Sequence, residues 1–279
     1  MNRSFLFVPA HRENLIKKAI VSQADALIFD FEDSVPDGVS KQEARYLFQK
    51  YGPGARVEHS VWVRTNSPEA DLYRDDLKAM TETQPDVVLH PKVESRDDFE
   101  IRMAQQYSVG ITSRGAALIE SPVGVANIAE ICRSHFIYAV VFGNEDYEAE
   151  LFCLRPQRTS EMLFARGSIA LHAKANGVIA VDTVTIDLHD RAMLEERVDS
   201  AVRLGFDGKL CLSPKELELV NNAFAPSHQD VEKAHKILEL SRIATSEGKG
   251  VSNASNTFVG PPMVKKARRI LAKSGGNKK

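Results

Sequence analysis

The chain has 279 residues, of which 43% are hydrophobic and 27% charged, with a formal net charge of -2. Such a composition supports a large core of ordinary soluble type, and the balanced charge argues against a nucleic-acid binder, which would carry a basic stripe. The length exceeds an average domain but suits one α/β barrel of about 250 residues with a small appendage.

Cys132, Cys153 and Cys211 are widely separated and form no CxxC pair, a usage that fits a reducing compartment. No stretch approaches the roughly 20 apolar residues that span a bilayer. The start, Met1 to Phe5, runs directly into a strand-like segment without a signal-peptide pattern, so a cytoplasmic or organelle-matrix location is expected.

In chain order, strands are predicted over Ser4–Ala10, Ala24–Phe31, His59–Arg64, Asp86–His90, Gly115–Ile119, Tyr138–Phe142, Ile179–Ile186 and Gly208–Leu212. Amphipathic stretches lie between them at Arg12–Ser22, Lys41–Lys50, Leu72–Thr83, Arg96–Gln106, Val125–Arg133, Thr159–Ala175 and Leu194–Arg203. Alternating strands and helices imply a parallel sheet. Eight repeats, and the lack of a Gly-x-Gly-x-x-Gly turn after the first strand, favour a closed (β/α)8 TIM barrel over an open doubly wound sheet.

Beyond Leu212, helices are expected at Lys215–Ala223, Gln229–Thr245 and Pro261–Lys273, with a mobile Gly/Ser/Asn-rich strap at Glu247–Asn256 before the last. We therefore expect a catalytic barrel over residues 1–225 and a helical extension over 226–279, reading as a lid, a subunit-gripping arm or a fraying tail. Lys265, Lys266, Arg268 and Arg269 form the densest basic cluster and read as a solvated helix face.

Five apolar runs end on polar or charged residues: Ala26–Asp33, Val61–Asn66, Val87–Lys92, Ala117–Pro122 and Val140–Asp146. A parallel barrel assembles its site at these carboxyl ends. Glu120 and Asp146 end the fifth and sixth strands, where they could share one hard cation of the Mg²⁺ type, or each cap the helix that follows. Missing His and Cys ligands argue against zinc. Arg64 could grip a carboxylate bidentately, or pair with the acids of Asp30–Asp33; the two roles are compatible. His90 and Lys92 could meet a phosphate or carbonyl, although a lone His is more often structural. Tyr147 and Glu148 read as loop residues. No Gly-x-Ser-x-Gly elbow, phosphate-binding loop or HExxH motif occurs. What remains is a Lewis acid and an arginine suited to charge on a small oxyacid.

The ordered segments Arg3–Pro9, Asp30–Val35, Val63–Asn66, Pro91–Lys92, Ile119–Pro122, Gly143–Asp146 and Gly205–Lys209 resemble the citrate lyase β-subunit-like branch of the HpcH/HpaI aldolase superfamily, over about the first 225 residues. The resemblance implies a Mg²⁺-dependent barrel that makes or cleaves a carbon–carbon bond in 3-hydroxyacyl-coenzyme A thioesters. It implies Glu120 and Asp146 as metal ligands, Arg64 as the oxo-acid anchor, and Glu32 and Asp33 as acids ordering Arg64 and metal-bound water. Arg3 and Lys92 are implied as contacts to the thioester or its phosphates.

Two positions depart from that pattern. Ser213-Pro214-Lys215-Glu216 stands where relatives carry His-Pro-x-Gln, and Gly260-Pro261-Pro262 stands where a lid aspartate is usual. The expected activity is cleavage of a citramalyl-CoA or malyl-CoA type thioester into pyruvate or glyoxylate and acetyl-CoA. A thioesterase, a malate-synthase-like enzyme and a non-catalytic subunit holding an acyl carrier are the alternatives. A homo-oligomer, trimer or hexamer, is expected, with neither nucleic acid nor membrane as partner.

Overall fold

A computed structural model describes residues 2–68, 72–151, 162–187, 190–246 and 259–275. The expected strap at Glu247–Asn256, the start of the helix expected at Thr159, and Cys153 lie outside them. Eight parallel strands, β1 (Ser4–Pro9), β2 (Ala26–Asp30), β3 (Ser60–Arg64), β4 (Val87–His90), β5 (Arg114–Ile119), β6 (Ile137–Phe142), β7 (Ile179–Asp182) and β8 (Gly208–Cys211), close into a barrel in sequence order, with β8 pairing β1.

The strands read as unbroken apolar runs because both faces are covered, one by the barrel interior and one by helices. Phe5, Ile28, Trp62, Leu89, Leu118, Val141, Val181 and Leu210 fill the interior, where the Phe5 and Trp62 rings meet edge to face at 5.1 Å. Alternation then dictates which residues point into the mouth. Counting up from the core in steps of two, Ile28 leads to Asp30, Trp62 to Arg64, Leu118 to Glu120, Val141 to Gly143 and Val181 to Thr183.

The outer layer comprises α1 (Glu13–Ile20), α2 (Val39–Ala55), α3 (Leu72–Met80), α4 (Arg96–Ser108), α5 (Pro122–Ala126), α6 (Ile128–Ile131), α7 (Asn144–Glu150), α8 (Leu163–Asn176) and α9 (Arg191–Leu204). Several begin where a side chain accepts from an otherwise unpaired N–H. Ser95 accepts from Asp98 N, Ser121 from Gly124 N and Asp190 from Met193 N.

Three expectations are corrected. The stretch Val125–Arg133 is two short helices, broken at Asn127, whose side chain donates to Glu94 O and whose backbone (φ -95°, ψ 6°) leaves the helical region. β7 stops at Asp182 rather than Ile186, because the Thr183 carbonyl accepts from the Lys209 ammonium instead of a neighbouring strand. Asp146, Tyr147 and Glu148 belong to α7, a helix rather than a loop, with the Tyr147 ring against Phe142 at 5.5 Å.

The chain divides into two compact units after Asn221. α10 (Leu217–Phe224) spans the division, and in the C-terminal unit α11 (His228–Ser246) and α12 (Pro261–Gly275) pack together around Ala234, Ala244 and Ala267. Lys265, Lys266, Arg268 and Arg269 are exposed on α12. No helix of the described residues is long and apolar enough to cross a membrane. Cys132 and Cys211 are buried free thiols.

The seam between β8 and β1 leaves no space at Gly208. A methyl there would lie 2.5 Å from Arg3 O and 2.7 Å from Phe5 Cε2. Gly208→Ala is expected to lower stability by about 1–3 kcal/mol, the usual cost of overpacking, read as a fall in the thermal midpoint.

Candidate active site

Arg64 is the hub of the mouth. Its Nε and Nη2 donate to the two oxygens of Asp30, both at 2.7 Å, a fork-to-fork pair between residues in register on β3 and β2. Nη1 donates to Asp33 Oδ2 at 3.0 Å and lies 3.1 Å from Glu32 Oε2, and the guanidinium carbon stands 4.9 Å from the Phe7 ring centre. Three of the five N–H donors are therefore committed to Asp30 and Asp33. Burial by itself would lower the Arg64 pKa, but Asp30, Glu32 and Asp33 overcome it and raise the value. Burial likewise works to raise Asp30, and the guanidinium holds it below the usual range. The pairing with the acids of Asp30–Asp33 read from the sequence is thus present in the structure.

Buried cations from the outer layer fasten the loops around this hub. Lys41 Nζ of α2 donates to Phe31 O, Glu32 O and Asn66 Oδ1 at 2.7–2.8 Å, fixing the loop after β2. Asp76 accepts from Asn66 N and Nδ2 and from Arg45 Nε, fixing the loop after β3. Arg102 of α4 donates to the carbonyls of Pro91 and Lys92. Lys92 has a left-handed backbone, φ 52°, which costs a non-glycine residue energy. That conformation goes with its N–H donating to Glu120 Oε1 at 2.8 Å.

Glu120 and Asp146 line one cavity of about 380 Å³ together with Arg64, Asp30, Asp33, Asn144, Thr183 and the apolar Phe7, Leu118 and Leu210. Glu120 does not cap the helix after its strand, whereas Asp146 lies in the first turn of α7, where an acid is favoured. Ser121 caps α5, and the Gly143 N–H at the head of α7 donates to Ile119 O. Gly143 makes room for Glu120, since a methyl at position 143 would stand 2.9 Å from Glu120 Cβ and Oε2.

Burial pushes Glu120 up to about 8, reinforced by Glu32 and Asp146 and opposed by Arg64. Burial also pushes Glu32 up to about 7, against the pull of Arg64, with Asp33 and Asp30 adding to the rise. Burial works to lower Lys92, but Glu32, Glu120, Asp146 and Asp33 overcome it and raise the value. The mouth therefore holds more negative than positive charge in a partly dehydrated space.

Such a mouth fits a divalent cation. Its donors are hard oxygens, Glu32 Oε2 is buried without a hydrogen bond, and the space beside Glu120 is kept open by a glycine. No three His, Cys, Asp or Glu side chains among the described residues converge on a metal position. Two carboxylates completed by water or substrate are what Mg²⁺ usually takes.

Arg3 is not brought to the mouth. It precedes β1 and so sits at the amino-terminal rim, where Nε and Nη2 grip Asp25 at 2.7 and 2.8 Å and Nη1 donates to Asn221 O. The implied contact between Arg3 and a thioester or phosphate is corrected on that ground. His90 faces outward from β4, fully buried between Tyr73 and Phe99 with Nε2 at 3.2 Å from Gln106 Oε1, and burial pushes it down to about 3. It is structural. The Ser213–Glu216 departure forms a capping box, with Glu216 Oε1 accepting from Leu212 N and Ser213 N.

The sequence named Asp30 only as one of several acids that could pair with Arg64, and it did not point to Gly143, Thr183 or the fasteners Lys41 and Arg102. Asp30 carried a usable signal, because strand alternation places it on the same inward face as Ile28. Lys41 and Arg102 carried none, since both lie on predicted amphipathic helices, where a charged residue reads as solvated.

An eight-stranded parallel barrel with an acidic, arginine-bearing mouth has the architecture of an enzyme-type site. Residues 3–214 match the family model for HpcH/HpaI aldolase/citrate lyase, and the chain belongs to that family. It is 31% identical to citrate lyase subunit beta of Escherichia coli K12, over 98% of this chain and 93% of that one. It is 32% identical to a (3S)-malyl-CoA thioesterase of Cereibacter sphaeroides, over 98% and 94%. Its fold is similar to CitE of Mycobacterium tuberculosis in complex with magnesium, acetoacetate and coenzyme A, with TM-score 0.81, 27% identity and 98% of each chain covered.

Two outcomes test the electrostatics. Both Glu32 and Glu120 have raised folded-state values, so the stability their neutral forms contribute is present at low pH and is lost as pH climbs through about 7 and about 8. Thermal midpoints of metal-free protein should fall from pH 6 to pH 9, and Glu120→Gln should flatten that slope. Gly143→Ala should displace the Glu120 carboxylate, costing about 1–3 kcal/mol, with the pH slope of the midpoint altered as well.

Proposed function

We propose that the protein is a Mg²⁺-dependent carbon–carbon lyase that cleaves a short 3-hydroxyacyl-CoA thioester, of the citramalyl-CoA or malyl-CoA type, into an oxo acid and acetyl-CoA. The observation that carries this reading is that Arg64, Glu120 and Asp146 line one cavity. Family membership and the magnesium, acetoacetate and coenzyme A held by the similar CitE structure support it.

Glu120 and Asp146 are the residues that would hold Mg²⁺, and the ion would supply a Lewis acid to the oxygens of the oxo acid. Arg64, already fixed by Asp30, presents a preorganised charge to the substrate carboxylate, so little ordering is required at the moment of reaction. Glu32, raised to about 7 beside Arg64, is partly ionised near neutral pH, and its carboxylate form is suited to accept the hydroxyl proton as the bond to the acetyl-CoA carbon breaks. Phe7, Leu118 and Leu210 make one side of the cavity apolar, which strengthens each of these charge interactions by excluding water. The departing enolate is then protonated at carbon. Gly260 means that this proton does not come from a lid aspartate at that position.

A second reading, thioester hydrolysis, is favoured by the 32% identity to (3S)-malyl-CoA thioesterase. Purified protein incubated with malyl-CoA and citramalyl-CoA, with and without Mg²⁺, separates the two: lyase action releases acetyl-CoA and an oxo acid, whereas hydrolysis releases free CoASH. Glu120→Gln and Asp146→Asn should reduce Mg²⁺-dependent release to background without loss of fold. Arg64→Lys should weaken pyruvate or glyoxylate inhibition roughly tenfold or more, a charged hydrogen bond being worth about 1.5–3 kcal/mol. Turnover that is indifferent to Mg²⁺ and to both acid substitutions would reject the metal-assisted scheme.

A further inference from the structure

We infer that Lys209, a fully buried lysine outside the cavity, is a positioning residue that sets the place of Asp146 through Thr183 and Asn144. The inference rests on the reading of Asp146 as a metal ligand.

Lys209 lies on β8 with its side chain on the outward face, opposite in parity to the interior Leu210. Its exposure is 0%. Dehydrating an ammonium so completely is costly and needs a compensating partner. Asp182, in register with Lys209 on β7, supplies the main opposite charge but accepts no hydrogen bond from it. Arg166 of α8 already donates to both Asp182 oxygens, at 3.0 and 2.8 Å, whereas Lys209 Nζ stays 3.9 Å away. Charge balance for Asp182 would survive without Lys209, and a methionine would fill the same space without the desolvation cost. What the ammonium supplies is a donor to the Thr183 carbonyl, one residue past the end of β7.

From Thr183 the network runs directly to α7. The Thr183 hydroxyl donates to Asn144 Oδ1 and accepts from Asn144 N at 3.2 Å. Asn144 opens α7, donates through Nδ2 to Glu145 Oε1 at 2.8 Å, and stands two residues before Asp146. Asn144 is 1% exposed and Thr183 4%, so these bonds are shielded from competing water. By contrast, the Asp146 carboxylate has no hydrogen bond or ion pair with a described residue. Its position is inherited from the backbone of α7, and that backbone is pinned to the end of β7 by Thr183. Residues that orient ligands in this way typically alter metal affinity 10–100-fold when changed.

Mn²⁺ binding to the purified full-length protein, measured by calorimetry and by the loss of free-ion EPR signal, reads this without turnover. Lys209→Met and Thr183→Val should each weaken Mn²⁺ about tenfold or more, while Thr183→Ser, which keeps the hydroxyl, should bind as the unaltered protein does. Asp146→Asn is the control for the underlying reading. If it loses Mn²⁺ while Lys209→Met and Thr183→Val retain full affinity, the positioning role is overturned and the metal-ligand reading stands. If Asp146→Asn itself retains full affinity, both are overturned. Should Lys209→Met fail to fold, Thr183→Val against Thr183→Ser decides the matter by itself.

Discussion

The site depends on one ion pair, Arg64 with Asp30. Both side chains point into the barrel from neighbouring strands, and four atoms meet in two parallel 2.7 Å bonds. A buried arginine without a partner would be strongly unfavourable, and so would the buried aspartate. Together they neutralise each other and leave the remaining acids to set the character of the mouth. Glu32, Asp33, Glu120 and Asp146 then crowd a partly dehydrated space, in which burial and mutual repulsion raise Glu32 and Glu120. A hard dication would displace protons from such carboxylates and relieve their repulsion, so its binding is coupled to their ionisation.

The barrel holds this unfavourable arrangement in place from outside. Lys41, Arg102 and Lys209 are buried cations, and each donates to main-chain carbonyls where a strand has just ended. Each restrains a loop that would otherwise be among the more mobile parts of an α/β barrel. The restraint has a further effect at Lys92, whose left-handed backbone is sustained by Arg102 on its own carbonyl side and by Glu120 on its N–H. The charged layer between sheet and helices is therefore part of how the mouth keeps its shape.

Two departures from the family pattern have different physical standing. Ser213 to Glu216 is a self-contained helix start in which Glu216 satisfies two backbone donors, so its acid is engaged structurally. Gly260 precedes α12 and its carbonyl accepts from Met263 and Val264. It offers no acid, so in the proposed lyase reaction the proton for the enolate would have to come from another group.

Much of this was legible in the residues alone. Apolar runs of strand length alternating with amphipathic stretches determined eight βα units, because burial on both faces of a parallel sheet leaves only that pattern. Polar ends on those runs determined the rim on which chemistry could occur, and with it Arg64, Glu120, Asp146, Glu32 and Asp33. Arg3 misled because motif membership says nothing about which end of a strand a residue occupies. Tertiary structure alone decided that Lys41, Arg102 and Lys209 are buried fasteners and that Gly143 is there for Glu120. It also decided that α7 begins where a strand-ending loop was expected. Those facts depend on contacts between segments far apart in the chain, and a local pattern of polarity carries no information about them.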